Sequence, residues 1–415
     1  MRLKALSLGI FLLFIGFAQA QTTKVVWWDF LGGGDGVRMK AMIAAFNESH
    51  PDIQIDATTL EWGTPYYTKV QTAVATGQGP DIMTYHVSRF PLAVPSGILR
   101  PFSDEELASV GLSRDDYFPN VIDKATLDGK LYGVPFDIST IVLYYNKDIL
   151  DQVGLLGDDG LPQGIDGIDN FNAALQKISD ETEKLPLSVA NESGTDWRVF
   201  YTLLKQQNGD IIVDNEAVVG DTSLRALETM RGWVTSGFVQ NNLEYDSSIA
   251  QFVNGESAFL INGVWELPTM VDGKLPFEWS AVALPVLFDV PAYWADTHTF
   301  AVPNSEANPI SEEKLSAVLE VIAWMNKNSI MWATAGHIPA YRPVVDSPEY
   351  QAMEPNATYA VAGEHVVYDP DSPIAGVASP VYDAVTNFIA PAVNGQLPVD
   401  QAVQMFNEEL AAQLR

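Results

Sequence analysis

The order strand, helix, strand, helix, strand near the start of the sequence constrains the fold most strongly. Three β-prone segments alternate with two segments of helical spacing, at 24–30, 37–48, 52–58, 67–76 and 81–85. In the first helical segment Met39, Met42, Ile43 and Phe46 fall on one face, as expected of a helix that packs on a sheet. This alternation favours an α/β domain with a largely parallel sheet.

The rest of the chain also mixes both elements. Strands are predicted at 140–145, 258–262, 280–284 and 298–303, and helices at 196–207, 223–236, 249–255, 312–328, 380–393 and 399–414. A loop rich in Gly, Asp and Pro spans 154–167. A mature chain of about 395 residues exceeds what one hydrophobic core usually supports. We therefore expect two domains, and because no flexible linker is evident, we expect the chain to cross between them more than once.

The first twenty residues have the features of a secretory signal peptide. Arg2 and Lys4 precede an uncharged apolar run, residues 5–18, which is too short for a permanent membrane anchor. Ala18-Gln19-Ala20 fits the small-x-small site of signal peptidase. We expect cleavage after Ala20 and a periplasmic location. No later segment reads as a transmembrane helix.

Composition narrows the range of partners. The chain has 53 Asp and Glu against 23 Lys and Arg, a formal net charge of −30, so nucleic acid and anionic lipid would repel it. Acidity also has a simpler explanation, the solubility of an abundant protein. The absence of cysteine excludes disulfides, cysteine metal sites and a lipid-modified N-terminal cysteine, so we expect no membrane anchor.

Catalytic motifs are missing from the sequence. Neither a G-x-S-x-G elbow nor a phosphate loop is present. The glycines of 32–36 do not fit the dinucleotide fingerprint, because Val37 stands where its third glycine belongs. They predict a turn into a helix N-terminus, whose free N–H groups could face a ligand. Paired carboxylates are so abundant that a glycosidase pair could be chosen anywhere, and they therefore indicate nothing.

Metal-binding patterns are equally weak. The histidines, none of them in H-x-x-x-H spacing, are His50, His86, His298, His337 and His365. The acidic loop with Asp158, Asp159, Asp166 and Asp169 could bind calcium, but Gln163 occupies the glycine position of an EF-hand. We expect no metal and no cofactor, with a calcium ion in this loop left open.

Aromatic residues gather where the first strands end. Trp27-Trp28-Asp29 ends the first strand, Trp62 with Tyr66 and Tyr67 follows the second, and Tyr85-His86 ends the third. Ligands of open α/β sheets bind outside the carboxyl ends of the strands. Rings stack on the C–H face of a sugar, and polar side chains hold its hydroxyls. Each ring alone is more often a core residue, but the set favours a carbohydrate-like solute.

Several segments resemble the maltose-binding-like extracellular solute-binding proteins of ABC sugar importers. They are AFN at 45–47 with HPDI at 50–53, GQGPDI at 77–82, DGKLYGVPFDISTIVLYYNKDIL at 128–150, GESAFLINGVW at 255–265, GHIPAYR at 336–342 and the Asn394-Gly395 turn. They cover nearly the whole mature chain, and their order and spacing together are specific.

The resemblance implies an α/β, two-lobed periplasmic binding protein fold of type II. Each lobe would be a mixed, mostly parallel sheet flanked by helices, and the lobes would close by a hinge on a ligand in the interlobe cleft. The lobes are expected at 21–137 with 299–343 and at 142–293 with 349–415, with crossings near 137–141, 291–299 and 341–348. The implied role is that of a monomeric, non-catalytic protein that passes its solute to the membrane subunits of an ABC importer.

The resemblance also implies ligand-binding residues, carried over by position. The aromatic after the Pro-Asp-Ile strand is Tyr85, followed by Ser88 and Arg89. Trp265 ends the GESAFLINGVW segment, and Tyr382 is the nearest match for a stacking ring in the penultimate helix. Asp137 and Ser139 lie at the first crossing, where they would reach a sugar hydroxyl. Location adds Trp28, Asp29, Trp62, Trp197, His298 and His337, although strand alternation lets only one of Trp27 and Trp28 face a given side.

Departures from the family pattern bear on the ligand. Relatives that bind linear maltodextrins carry charged residues after the first strand, where this chain has Phe30, Leu31 and three glycines, and Ser139 replaces an acidic residue. We therefore expect a mono- or disaccharide other than maltose. Two alternatives stay open: a binder of glycerol phosphodiesters or polyols in the same transport role, and a secreted glycoside-acting enzyme. The scarcity of Lys and Arg argues against a phosphate ligand.

Overall fold

The structure of the protein, a computed structural model, describes residues 22–192 and 194–415. The predicted signal peptide lies outside these residues. The strands are β1 Thr23–Asp29, β2 Ile53–Thr59, β3 Ile82–His86, β4 Leu99–Arg100, β5 Thr126–Leu127, β6 Lys130–Leu131, β7 Val134–Pro135, β8 Asp137–Asn146, β9 Leu185–Ser188, β10 Ile212–Val213, β11 Glu216–Ala217, β12 Ser257–Gly263, β13 Trp279–Ala283, β14 Tyr293–Asp296, β15 His298–Pro303, β16 Ile338–Pro339 and β17 Val366–Val367.

The helices in the same residues are α1 Gly33–Ser49, α2 Thr64–Ala75, α3 Phe90–Ala93, α4 Asp104–Ser109, α5 Pro119–Lys124, α6 Lys147–Gln152, α7 Ile168–Glu181, α8 Thr195–Lys205, α9 Asp221–Thr235, α10 Tyr245–Val253, α11 Leu267–Gly273, α12 Glu312–Lys327, α13 Ile330–Ala333, α14 Arg342–Val345, α15 Pro348–Gln351, α16 Asn356–Tyr359, α17 Pro380–Ala384, α18 Ala390–Val393 and α19 Val399–Gln413. None of them combines the length and the apolarity that a membrane crossing requires.

The first sheet has the order β2-β1-β3-β15-β4, and β7 also pairs with β15. β1 runs parallel to β2 and β3, whereas β15 runs antiparallel to its neighbours. Along β1, Val25, Trp27 and Asp29 are buried and alternate with more exposed residues. This is the period of a strand with one face on a core. The predicted strand–helix order of this region is confirmed.

The second sheet has the order β17-β14-β8-β12-β9, with β13 and β16 also paired to β8. The two-lobed, mixed α/β architecture is confirmed, but this sheet is not mostly parallel as predicted. β8 runs antiparallel to β12, β13, β14 and β16, and parallel pairs join β9 to β12 and β14 to β17. Parallel neighbours need a crossover connection, usually a helix. No helix separates β8 from β7 of the first sheet. The order of strands and helices along the chain therefore could not give the direction of β8 in the second sheet.

β8 joins two hydrophobic clusters. Val142 and Tyr144 belong to the cluster that also fills the first lobe, while Ile141, Leu143 and Tyr145 belong to the cluster beneath the helices of the second lobe. Successive side chains of a strand point to opposite faces. The uninterrupted apolar run of this segment therefore reflects burial on both faces.

Two of the places where the chain passes between the sheets lie near the ends of strands. β7 pairs in the first sheet, and β8 begins two residues later at Asp137 in the second. β14 lies in the second sheet and β15 in the first, with Thr297 alone between them. The lobe boundaries proposed from the sequence stay a prediction.

Element boundaries agree with the sequence where the hydrophobic pattern is sharp. β15 occupies 298–303, as predicted. α1, however, begins at Gly33 rather than at residue 37. Its first turn was not predicted, because it consists largely of glycines, which are poor helix formers. The predicted helix at 380–393 is interrupted by a π-helical turn at Val385–Ile389.

Candidate functional site

A cavity of about 530 Å³ lies between elements of the two lobes. Its volume is in the range of small-molecule sites. It is lined by Phe30, Leu31, Gly32, Asp35, Trp62, His86, Ser139, Arg198, Tyr245, Trp265, Trp294, Asp296, His298, His337 and Val377. Aromatic rings and hydrogen-bonding groups share the lining.

The turn between β1 and α1 forms one wall and depends on glycine. A Cβ at Gly36 would lie 2.5 Å from the carbonyl oxygen of Leu31, so any larger residue would push the helix away from the strand end. Oδ1 of Asp29 accepts the backbone N–H of Leu31 at 2.9 Å and fixes the turn. As a result the first turn of α1 brings Gly32 and Asp35 to the cavity.

His86, at the end of β3, packs flat on Phe30. Their ring centroids are 4.5 Å apart at an interplanar angle of 10°. Burial, followed by the proximity of His298 and Arg198, lowers the pKa of His86 well below its usual value. The imidazole is therefore neutral near pH 7. Its Nδ1 is hydrogen-bonded to the hydroxyl of Tyr67, which leaves Nε2 for one hydrogen bond with a solute.

Asp137 anchors the residues around the first crossing. Its Oδ1 accepts the backbone N–H of His298 at 2.9 Å, and its Oδ2 lies 2.8 Å from Nδ1 of His298 and accepts Nε1–H of Trp332 at 2.7 Å. Burial alone would raise the pKa of Asp137, but the neighbouring His298 and His337 hold it below its usual value. Asp137 thus fixes the orientation of His298 without itself lining the cavity.

Arg198, on α8, forms the opposite wall together with two indoles. Its guanidinium carbon lies 4.8 Å from the ring centroid of Trp265 and 4.9 Å from that of Trp294, a cation–π arrangement. Its buried Nε finds no hydrogen-bond partner in the described residues. Nε1–H of Trp265 donates to the hydroxyl of Tyr245 at 2.7 Å. The guanidinium therefore brings to an aromatic wall a charged donor whose Nε–H is unpaired among the described residues.

Asp296 links the two lobes at the floor of the cavity. Its Oδ2 accepts the hydroxyl of Ser88 at 2.6 Å, and its Oδ1 accepts the backbone N–H of Thr297 at 2.8 Å. Burial, together with the nearby carboxylate of Asp369, raises the pKa of Asp296 to about 7. This side chain can therefore meet a solute hydroxyl either as donor or as acceptor.

The structure brings some of the predicted ligand residues to the cavity and places others behind it. Trp62, Ser139, Trp265, His298 and His337 line the cavity. The predicted residues that lie outside the lining are Trp28, Asp29, Tyr85, Arg89, Asp137, Trp197 and Tyr382.

Several of these residues support the wall from behind. Trp197 is fully buried, and its Nε1–H donates to Oδ1 of Asp369 at 2.9 Å. The ring of Tyr382 lies 6.0 Å from that of Trp197. Arg89 donates from Nη1 to the carbonyl oxygens of Val377 and Ala378, both at 2.9 Å, and so ties the first lobe to the second.

The remaining predicted residues lie within the first lobe. Tyr85 is buried, and its carbonyl oxygen accepts the hydroxyl of Thr299 at 2.8 Å. Trp28 is half-buried under Nζ of Lys69, 5.1 Å from its ring centroid, while Trp27 is buried in the core. Neither tryptophan lines the cavity.

Sequence reasoning missed Asp35, Arg198, Tyr245, Trp294 and Asp296. Arg198 follows Trp197 directly, but one residue turns a helix by about 100°, and the sequence does not give the phase of α8. Asp296 stands two residues before His298 in the predicted crossing, and this proximity was the available signal. The other three, Asp35, Tyr245 and Trp294, carry no local motif.

Residues that could bind a metal come together at a different place from the acidic loop considered in the sequence. In the described residues, one group of three metal-ligating side chains lies close enough for a common ion, Asp137, His298 and His337. The acidic loop of Asp158 to Asp169 does not form such a group. There, Oδ1 of Asp159 accepts the backbone N–H of Leu161 at 3.0 Å.

Comparison with known proteins covers most of the chain. A family model described as bacterial extracellular solute-binding protein matches residues 41–358. The arabinooligosaccharide-binding protein of Halalkalibacterium halodurans is 23% identical over 363 residues, covering 83% of this chain and 77% of that protein. The arabinooligosaccharide-binding protein of Bacillus subtilis is 24% identical over 270 residues, 60% of this chain, and the match spans only 57% of that relative's length.

Solved structures show the same fold. An ABC substrate-binding protein from Listeria monocytogenes, in complex with cycloalternan, has a TM-score of 0.79 at 20% identity. The match covers 95% of this chain and 99% of that one.

Proposed function

Because the chain belongs to the bacterial extracellular solute-binding proteins, we propose that it captures a mono- or disaccharide between its lobes and delivers it unchanged to an ABC importer. The observation that carries the proposal is the interlobe cavity of about 530 Å³. It combines rings for stacking with fixed hydrogen-bonding groups, which a sugar needs on its face and its rim. Two relatives are named for arabino-oligosaccharides, which supports the carbohydrate class.

The binding mode follows from the two walls of the cavity. Trp62 offers apolar ring surface, the Trp265–Tyr245 pair forms the wall beside Arg198, and Ser139, His86 and Arg198 offer hydrogen bonds. Hydroxyls matched to these groups would give specificity, because a solute that lacked one would leave a buried polar group unpaired. Asp137, which hydrogen-bonds His298, and Arg89, which hydrogen-bonds the carbonyl of Val377, would act by holding this lining in place.

The proposal assigns the lobes to 21–137 with 299–343 and to 142–293 with 349–415. The crossings at 137–141, 291–299 and 341–348 would serve as the hinge. Since the chain passes from one sheet to the other at the start of β8 and again between β14 and β15, rotation of the lobes would bend a few residues at these junctions and leave the sheets intact.

Export and transport complete the proposal. The leader would be cleaved after Ala20 to release a periplasmic monomer that meets the membrane subunits of the importer. N-terminal sequencing of the protein from a periplasmic extract and its mass by light scattering test these points. Loss of uptake of the labelled sugar in a strain without the protein tests the transport role.

Calorimetric titration tests the binding function. The mature protein is unfolded and refolded to remove bound solute, and is then titrated with monosaccharides, disaccharides, arabino- and malto-oligosaccharides, polyols and glycerophosphodiesters. One-to-one binding of a neutral sugar is the expected result. Binding of a phosphodiester alone, or turnover of a nitrophenyl glycoside, would overturn the proposed function.

A cavity variant makes the titration specific to this site. Ser139→Phe fills the cavity from β8 and should abolish sugar binding while the protein still unfolds cooperatively. Ser96→Phe, at an exposed position of the first lobe, is the matched control and should bind normally.

A further inference from the structure

Asp137, His298 and His337 converge at the base of the solute cavity although they are far apart in sequence. All three are buried, and one ligand atom of each lies within 4.8 Å of those of the other two. Nδ1 of His298 lies 2.8 Å from Oδ2 of Asp137, and Nδ1 of His337 lies 3.3 Å from the same oxygen. The sequence could not show this group, because each residue comes from a different segment of the chain.

His337 has a carboxylate oxygen at each of its ring nitrogens. Its Nε2 lies 3.1 Å from Oδ2 of Asp35, while its Nδ1 faces Oδ2 of Asp137. A neutral imidazole carries one N–H, so it can donate to one of these carboxylates only. Nδ1 is buried and has no hydrogen-bond partner among the described residues. If Asp35 takes the N–H, the lone pair of Nδ1 meets an anionic oxygen, and this contact needs a positive centre.

Oδ2 of Asp137 faces three nitrogens. It accepts Nε1–H of Trp332 at 2.7 Å, and Nδ1 of His298 and Nδ1 of His337 lie 2.8 Å and 3.3 Å from it. The contact with His337 is not a hydrogen bond. A single cation on one lone pair of this oxygen would bind both imidazole nitrogens and would leave the other lone pair to Trp332.

We propose that this group is a divalent transition-metal site of the zinc type, with Oδ2 of Asp137 and Nδ1 of His298 and His337 as ligands. Bonds of about 2.0 Å in tetrahedral geometry place ligand atoms about 3.3 Å apart. The Asp137–His337 distance already has this value, and the Asp137–His298 distance would widen by about half an ångström. Two imidazoles and one carboxylate form a donor set that suits zinc and its neighbours.

The surroundings complete the site. Asp35 accepts Nε2–H of His337 and would orient that ligand, as carboxylates do behind metal-bound histidines. His298 and His337 line the solute cavity, so an ion can enter from it. The fourth coordination position would face the cavity and hold water or a solute hydroxyl.

Zinc titration of the chelator-treated, full mature protein tests the site. One equivalent of Zn²⁺ should bind, and a crystal grown with Zn²⁺ should give an anomalous peak between Asp137, His298 and His337. His337→Gln should weaken binding at least tenfold, and Asp35→Asn, which removes only the outer partner, should weaken it by about tenfold or more. Melting curves of both variants show whether they are folded.

The control separates this site from the other histidines. His365→Gln removes an exposed imidazole far from the group and should leave zinc binding unchanged. Absence of a one-equivalent site, unchanged affinity in folded His337→Gln, or an anomalous peak elsewhere would overturn the proposal.

Discussion

Arg198 lies over the indole of Trp265, with its guanidinium carbon 4.8 Å from the ring centroid. The backbone of Gly263 lies against the same indole, since a Cβ on that glycine would fall 2.1 Å from Cε2 of the ring. The guanidinium thus occupies ring surface that the sequence assigned to sugar stacking. A solute that reaches this wall must meet Arg198 as well as the tryptophan.

Replacing Arg198 by lysine should therefore weaken solute binding although the positive charge is kept. Arg198→Lys keeps the cation but loses the planar fork of N–H donors, and we expect affinity for the bound sugar to fall about tenfold or more. Calorimetric titration measures the change. Arg225→Lys, at an exposed position of α9, is the control. Equal affinity in Arg198→Lys and the wild type would contradict the assigned role.

Two tryptophans predicted as ligand contacts should behave in opposite ways. Trp62 is 49% exposed at the cavity, so Trp62→Ala should weaken sugar binding severalfold and change the free energy of unfolding by no more than about 0.5 kcal/mol. Trp197 is fully buried, so Trp197→Ala should lower that free energy by about 3–5 kcal/mol. Urea unfolding and titration separate the two effects. A destabilised Trp62→Ala would show that this ring is structural.

Asp196 should make the protein less stable as pH rises. Burial raises its pKa to about 6, from 3.8 for an unperturbed aspartate, so the folded state keeps a proton that the unfolded state has released. The free energy of unfolding should therefore fall as pH rises from about 4 to about 6, and this contribution stays lost above that range. Asp196→Asn removes this titration. Between about pH 4 and about pH 6, its free energy of unfolding should therefore rise relative to that of the wild type by on the order of 3 kcal/mol.

Urea unfolding at several pH values measures this dependence. Asp151→Asn, which changes an exposed carboxylate of α6, is the control and should follow the wild type. If Asp196→Asn also followed the wild type at every pH, Asp196 would not carry the buried proton.

Gly34 should be needed for the approach of the two lobes. A Cβ there would lie 2.7 Å from Cβ of Pro268, across the gap between α1 and α11, close to the Arg38–Asp272 ion pair. Gly34→Ala should therefore hold the lobes apart and weaken sugar binding, while the ligand-free protein keeps its stability. Titration tests this, with Gly232→Ala, where a Cβ meets nothing within 4 Å, as the control. Full affinity in Gly34→Ala would show that this contact is not part of the bound state.

The fold was predictable where local pattern and packing agree. β15 was placed to the residue because a short apolar run is bounded by a crossing and a proline. The start of α1 was missed because Gly33 and Gly34 oppose helix formation, and contact with Pro268 explains why a small residue stands there. The antiparallel setting of β8 depends on contacts between distant segments, which no local pattern records.

The candidate site was predictable only in part for the same reason. Trp265, Ser139 and Trp62 were found through resemblance or location, and they line the cavity. Trp197 was chosen and its neighbour Arg198 was not, because the choice depends on the rotation of α8 against the sheet. The convergence of His298 and His337 on Asp137 is a tertiary fact, and their spacing of 39 residues gives no hint of it.

The central claim, that the solute is enclosed between the two lobes, is tested most directly by small-angle X-ray scattering of the refolded, solute-free protein with and without a saturating sugar. Enclosure predicts that the radius of gyration decreases, at the same one-to-one stoichiometry that calorimetry gives. The Ser139→Phe variant should show no decrease. The account would be contradicted if the sugar bound saturably without changing the radius of gyration and the Ser139→Phe variant bound it with unchanged affinity.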